Sequence, residues 1–239
     1  MRFWPILIIL LFLGYRQYGD RLPELTRFVQ SPTVVSPPVI SSDMDGPPFV
    51  PNYLNNPQMQ ATRRWRTLPV RVYFETNGAY TADRRDAALT GFSSWAAATG
   101  GVLRHVVVDS ASKADVTVRF IPGAYVPPNR STVGLTRSLS TDRWLRSAQM
   151  TLATGGRTTL DNLSDVAAHE WGHALGINGH SDDPKDLMTS TSVRVITISP
   201  FGRVLGSESK VRTPTLRDLN TMKTIYADRF RINRRESRR

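Results

Sequence analysis

The stretch AAHEWGHALGINGHSDD, Ala167 to Asp183, decides how this chain reads. His169 and His173 stand one helical turn apart in it. On a helix that spacing puts both imidazoles on one face, within reach of a single ion, and sets Glu170 beside them to handle a proton. Nitrogen ligands without sulfur, leaving one position open for water, suit zinc. Gly176 can take the left-handed conformation that ends a helix and reverses the chain. The extended pattern H-E-x-x-H-x-x-G-x-x-H would place a third histidine at position 179. Gly179 stands there instead, and the histidine arrives at His180.

The chain has four histidines, and three of them lie in this stretch. The fourth, His105, falls in a predicted strand apart from it, where an ordinary polar or partly buried role is expected. The third ligand is therefore His180, a carboxylate such as Asp182, or water. Ligand preference puts His180 first. One extra residue in a surface turn costs little chain entropy, and Gly179 adds a second permissive position just before it.

Outward from the motif, the sequence alternates strands and helices. Val70, Val72 and Phe74 alternate with Arg71, Tyr73 and Glu75, which predicts a half-buried strand. Thr81 can cap a helix with Ala88, Phe92, Trp95 and Ala96 on one face, ending at Gly100-Gly101. Leu103–Val108 and Val116–Phe120 read as two further strands, followed by the loop PGAYVPPN. A weaker strand is expected over Val133–Arg137 and another over Ala148–Ala153. The motif helix is expected from about Asn162. A last helix begins at TPTLRD, with Pro214 suited to a first turn and Thr215 with Asp218 forming a capping box. Its apolar face is Leu219, Met222 and Ile225. This order predicts an α/β (α+β) fold on a small mixed sheet.

The residues HEWGHALG, then HS at His180–Ser181 and DLM at Asp186–Met188, resemble the matrixin branch of the metzincin zinc endopeptidases. Ser181 after the third histidine points to matrixins, since adamalysins carry aspartate and astacins glutamate there. Bacterial matrixin-like sequences include a G-x-x-G-H form one residue longer, as here. WRTLPVRVYF is similar to the family's opening strand, and AALTGFSSWAAATGGVLRHV to its first helix and next strand. ADVTVRF is similar to its third strand and LRDLNTMKTIY to its closing helix. The resemblance implies a metzincin-like protease domain with a backing helix, an active-site helix and a C-terminal helix. It implies one catalytic zinc ion on His169, His173 and His180, with Glu170 as general base and Met188 as the Met-turn methionine. It also implies an edge strand, Val133, Gly134, Leu135 and Thr136, along which a polypeptide substrate lies. No tyrosine follows Met188, so a phenol assisting the oxyanion, as in astacins, is not expected.

Other family features are missing. Gly123–Arg137 holds no histidine, so a second, structural zinc is not expected. The chain has no cysteine, which excludes a cysteine latency switch, disulfides and thiolate chemistry. Asp43 or Asp45 would be the carboxylate for a plug of the astacin type. The segment TSTSVRVITISPFG, which by the resemblance should wall the main specificity pocket, has no clear family match, so substrate preference is not read from it.

Composition sets the remaining bounds. At 239 residues the chain suits one packed domain with appendages. Its net charge of +11 reads as a solvated basic surface. Phe3–Tyr15 is an apolar run broken by Pro5 and Gly14. As a helix it would span about 20 Å, short of the roughly 30 Å hydrocarbon core, which suits a signal segment. No small-residue cleavage site follows, so retention as a membrane anchor competes with cleavage. The expected organisation is a signal peptide or anchor over 1–21 and a proline-rich linker or pro-segment over 22–61. A metalloprotease domain over 62–228 and a basic tail over 229–239 complete it. The expected activity is that of an exported zinc endopeptidase, extracellular, periplasmic or membrane-anchored. It acts as a monomer on polypeptide, with no nucleic-acid partner. The rivals are a catalytically silent zinc-containing surface or adhesion module and a zinc hydrolase of a non-protein amide.

Overall fold

The alternation at Val70–Phe74 forms a strand, β1, whose Val70, Val72 and Phe74 are buried while Arg71 faces out. The computed structural model describes residues 48–127, 132–156, 158–190, 197–198, 204–206 and 212–230. The apolar N-terminal run, the linker through residue 47, the Asp43 and Asp45 positions and the tail from 231 lie outside the described residues. So does most of the TSTSVRVITISPFG segment.

Thr81 caps helix α1 (Ala82–Ala98), its side chain accepting from the Arg84 N–H. The helix buries Ala88, Phe92 and Trp95 as the spacing predicts, whereas Ala96 is only partly covered. Strand β2 (His105–Val107) follows, shorter than expected because Leu103 enters the core from the preceding turn. Strands β3 (Val116–Ile121), β4 (Gly134–Thr141) and β5 (Trp144–Ala153) complete a five-stranded sheet of order β2-β1-β3-β5-β4. All pairings are parallel except the β4–β5 hairpin. That hairpin runs well beyond the expected strands. The outer half of β4, around Arg137–Ser140, is largely exposed and has no apolar face, so its sequence carries no strand alternation. Val133 itself lies just before β4.

Helix α2 (Leu160–Leu175) carries the motif and starts two residues earlier than expected, capped by Thr159. It packs on α1, with the Phe92 and Trp171 rings stacked at a centroid distance of 4.3 Å. Two short strands, β6 (Thr197–Ile198) and β7 (Val204–Gly206), pair with each other. Helix α3 (Leu216–Ile225) follows, with the predicted capping box of Thr215 and Asp218; Pro214 sits just before the cap, and the described chain runs on to residue 230. Met222 and Ile225 are buried and Leu219 is partly covered.

The stretch expected as a linker up to residue 61 contains, from residue 48, packed chain. It forms no helix or strand, yet Tyr53, Leu54 and Met59 join the main hydrophobic cluster. The polar face of α3 receives it. Phe49 N–H donates to Thr224 Oγ1 at 2.9 Å, and Tyr53 Oη donates to Asp218 Oδ1 at 2.8 Å.

Candidate metal centre

Helix α2 buries Leu163, Ala167, Trp171, Ala174 and Leu175 in the core. That anchorage leaves His169 and His173 on the side facing the cleft along β4. Their Nε2 atoms are 3.2 Å apart. The rings of both also face His180, with centroids 5.4 and 5.0 Å away. One ligand nitrogen from each of the three residues falls within 4.8 Å of the others. Two nitrogens bound tetrahedrally at about 2.05 Å from zinc stand about 3.3 Å apart, so the helix pair already has ligating spacing.

The tautomers fit as well. His169 Nδ1 lies 2.8 Å from the Leu187 carbonyl and His173 Nδ1 2.8 Å from the Ile177 carbonyl. Nδ1–H donates in each case, which leaves the Nε2 lone pairs directed at the cluster. Burial pushes His169 down to about 4, and burial together with the neighbouring His169 pushes His173 down to about 3. His180 is lowered by burial too. All three imidazoles are therefore neutral at neutral pH, the form that binds a metal. The donor set and its spacing fit zinc.

The helix ends where the sequence indicated. Gly176 takes φ of 119° and Gly179 takes φ of 138°, both left-handed. The two glycines return the chain so that His180 meets the pair on α2. Asp182, the rival ligand, is turned away: its Oδ1 accepts from Arg217 Nη2 at 2.7 Å, and that hydrogen bond holds its carboxyl below the usual range. His105 has the ordinary role expected of it, edge-on to Phe92 and Trp171.

Glu170 is buried beside the cluster, and burial pushes its carboxyl up to about 7. The Thr136 hydroxyl on β4 opposes that shift by donating to Oε2 at 2.7 Å. Thr136 was expected only as a substrate contact, and here it also orients Glu170. Gly134, on the same strand, faces the Glu170 side chain directly.

Met188 is fully buried beneath α2, its side chain against Gly172. Its turn is held by a residue whose role here the sequence did not reveal. Asp218 is 0% exposed and accepts from the N–H groups of Leu187 (2.8 Å), Met188 (3.3 Å) and Thr215 (2.8 Å) and from Tyr53 Oη. The capping box was the signal for Asp218, but it accounts for only the Thr215 bond. Ser181 couples the third histidine to the same turn, its N–H donating to the Met188 carbonyl at 2.8 Å and its hydroxyl to Asp186.

A family model described as matrixin, within the M10 peptidases, matches residues 64–198. No curated protein matches the chain. The match and the histidine cluster together suggest a zinc metalloprotease. The matched region covers more than half of the sequence and contains all three histidines and Glu170, and the chain belongs to the matrixin family of metallopeptidases.

Proposed function

We propose that this protein is an exported zinc endopeptidase that binds an extended polypeptide along β4 and cleaves it opposite Glu170. The observation that carries this reading is a buried carboxylate set against three neutral, converging imidazoles at one wall of an open cleft. Bound zinc would polarise the peptide carbonyl and make a water acidic. With the metal bound on His169, His173 and His180, Glu170 would act as the general base, taking the proton of the water that attacks the carbonyl carbon. Oε2 is held by Thr136, and Oε1 has no hydrogen-bond partner among the described residues, which leaves the carboxylate with free acceptor capacity for that proton. The carboxyl would then return the proton to the amide nitrogen as the C–N bond breaks.

The edge role of β4 supports a main-chain mode of recognition. The strand ends the sheet, and among the described residues its outer side pairs with no other strand. A peptide added there gains backbone hydrogen bonds irrespective of its sequence. Leu135 and Thr136 line the cleft at that edge. Export rests on the Phe3–Tyr15 run, which would also serve as a membrane tether if retained. Among the described residues no helix is long and apolar enough to cross a membrane.

The test compares zinc content and digestion of an unstructured protein by three full-length variants. His180→Ala should lose both zinc and activity. Glu170→Ala should keep zinc and lose about 10²–10⁴-fold in turnover. Asp182→Ala should retain both. Full zinc in His180→Ala together with zinc loss in Asp182→Ala would show that His180 is not the ligand. Digestion that survives a chelator would refute the zinc enzyme.

A further inference from the structure

The third histidine is held differently from the other two. His169 and His173 each have Nδ1 fixed by a backbone carbonyl, whereas the His180 ring has no hydrogen bond among the described residues. Partners of that kind orient a ligand and sustain metal affinity. His180 also ends a loop, residues 176–180, with two glycines in the left-handed region and one residue more than the shorter form of the motif. Such a loop has many conformations to lose before its imidazole reaches the cluster.

Hydrogen bonds and close contacts from residues 56–61, backbone and side chain, hold the loop instead. Gln60 N–H donates to the Asn178 carbonyl at 2.7 Å, and Asn178 Nδ2 donates back to Gln60 Oε1 at 3.3 Å and to the Ala61 carbonyl at 3.4 Å. Asn56 Nδ2 donates to the carbonyl of His180 itself at 3.2 Å. Gly179 lies so close that a Cβ there would collide with the Gln58 carbonyl oxygen and come within 2.8 Å of Met59 Cα. The segment is itself anchored to the rest of the fold. Met59 is 1% exposed, Asn56 Oδ1 accepts from Gln58 N–H at 3.0 Å, and Tyr53 is anchored to Asp218.

We infer that residues 56–61, which precede the family-matched region, are a positioning element for the metal site, holding the longer loop so that His180 stays in ligating position. This rests on the zinc reading of the three histidines. The extra residue removes the short tether between α2 and the third ligand, and the strap replaces it from outside.

The experiment uses the full chain, with zinc affinity measured by competition against a chromophoric chelator and the cobalt-substituted absorption spectrum recorded alongside. In Asn56→Ser the hydroxyl can still accept from Gln58 N–H but is too short to reach His180. Zinc should bind about 10-fold more weakly, the lower end for loss of a ligand-orienting partner. The cobalt spectrum should change while the unfolding midpoint of the metal-free protein stays put. Asn52→Ser is the control: Asn52 closes the same kind of turn, with Leu54 N–H at 3.0 Å, and touches no part of the loop. It should bind zinc as the parent does. Asn178→Ser, at an exposed position, should weaken zinc binding in the same direction as Asn56→Ser and serves if that variant folds poorly. Parent-like zinc affinity in both Asn56→Ser and Asn178→Ser, or equal weakening in Asn52→Ser, would overturn the inference. His180→Ala, measured in parallel, separates the two claims. If it too binds zinc as the parent does, the metal-site reading has failed and not merely the strap.

Discussion

Gly134→Ala separates the proposed base, Glu170, from the three clustered histidines. A Cβ built at residue 134 would stand 2.7 Å from Glu170 Cγ, 2.7 Å from Glu170 Oε1 and 2.7 Å from Val166 Cγ1. Ordinary contacts begin near 3.5 Å, so relieving the clash requires a displacement of about 0.8 Å. The β4 backbone is fixed by its ladder to β5, and Val166 sits on a helix buried against the core. The side chain of Glu170 is the softer element and should yield. Overpacking of this kind costs about 1–3 kcal/mol. For a chain of this size that lowers the melting temperature by roughly 2–12 °C. A shift of nearly 1 Å in a reacting group costs about 10²-fold in rate. The expected variant is folded, holds a full complement of zinc, and turns over an unstructured protein about 100-fold more slowly. Gly78→Ala is the control, since nothing lies within 4 Å of its Cβ position. The assay is kcat on a fluorogenic peptide beside zinc content and thermal unfolding. Parent-like turnover in Gly134→Ala would mean that β4 moves instead, and zinc loss would mean that Glu170 and the ligands are not separable. Either result refutes the reasoning.

Two further outcomes follow from buried charge. Glu170 has a raised pKa in the fold, so its contribution to stability is complete below its unfolded value near 4.5 and is lost as pH rises through about 7. Glu170→Gln should therefore raise the denaturant midpoint of the metal-free protein at pH 8 and leave it nearly unchanged at pH 4.5; an equal effect at both would exclude the burial argument. Asp218→Ala strands three buried or partly buried N–H groups and the Tyr53 hydroxyl, so it should cost more than about 3 kcal/mol by denaturant unfolding. A cost under 1 kcal/mol would show that the Met188 turn is supported elsewhere.

The sequence made the centre of this protein legible and left its supports hidden. His169, Glu170 and His173 could be placed because a helical period fixes their geometry, and Gly176 because its conformation excludes most residues. The capping box of α3 is a local pattern and was readable in the same way. What Asp218 does beyond that cap depends on residues 165 positions away in one case, and no local period encodes such a contact. Thr221 and Thr224 lie outside the apolar set of Leu219, Met222 and Ile225 yet are buried, because their partners come from residues 49–53. Those partners lie in a proline-rich stretch whose buried side chains, Tyr53, Leu54 and Met59, follow neither a helical nor a strand spacing. The outer half of β4 was missed for the opposite reason. Its residues are exposed, and an edge strand without an apolar face has nothing to alternate.

The contact between Tyr53 and Asp218 also orders events in time. These two residues are 165 positions apart, and Phe49 and Thr224 are 175 apart. Contacts of such separation form late, after the chain between them has collapsed and paired. During synthesis the segment around Tyr53 emerges early and has nowhere to dock until α3 has been made. A chain that stops before α3 contains every residue of the sheet and of α2, yet Tyr53 then has no Asp218 to bond and the segment beside His180 loses that tie. If residues 56–61 hold His180 as inferred above, the histidine cluster takes its final geometry only once α3 has been made.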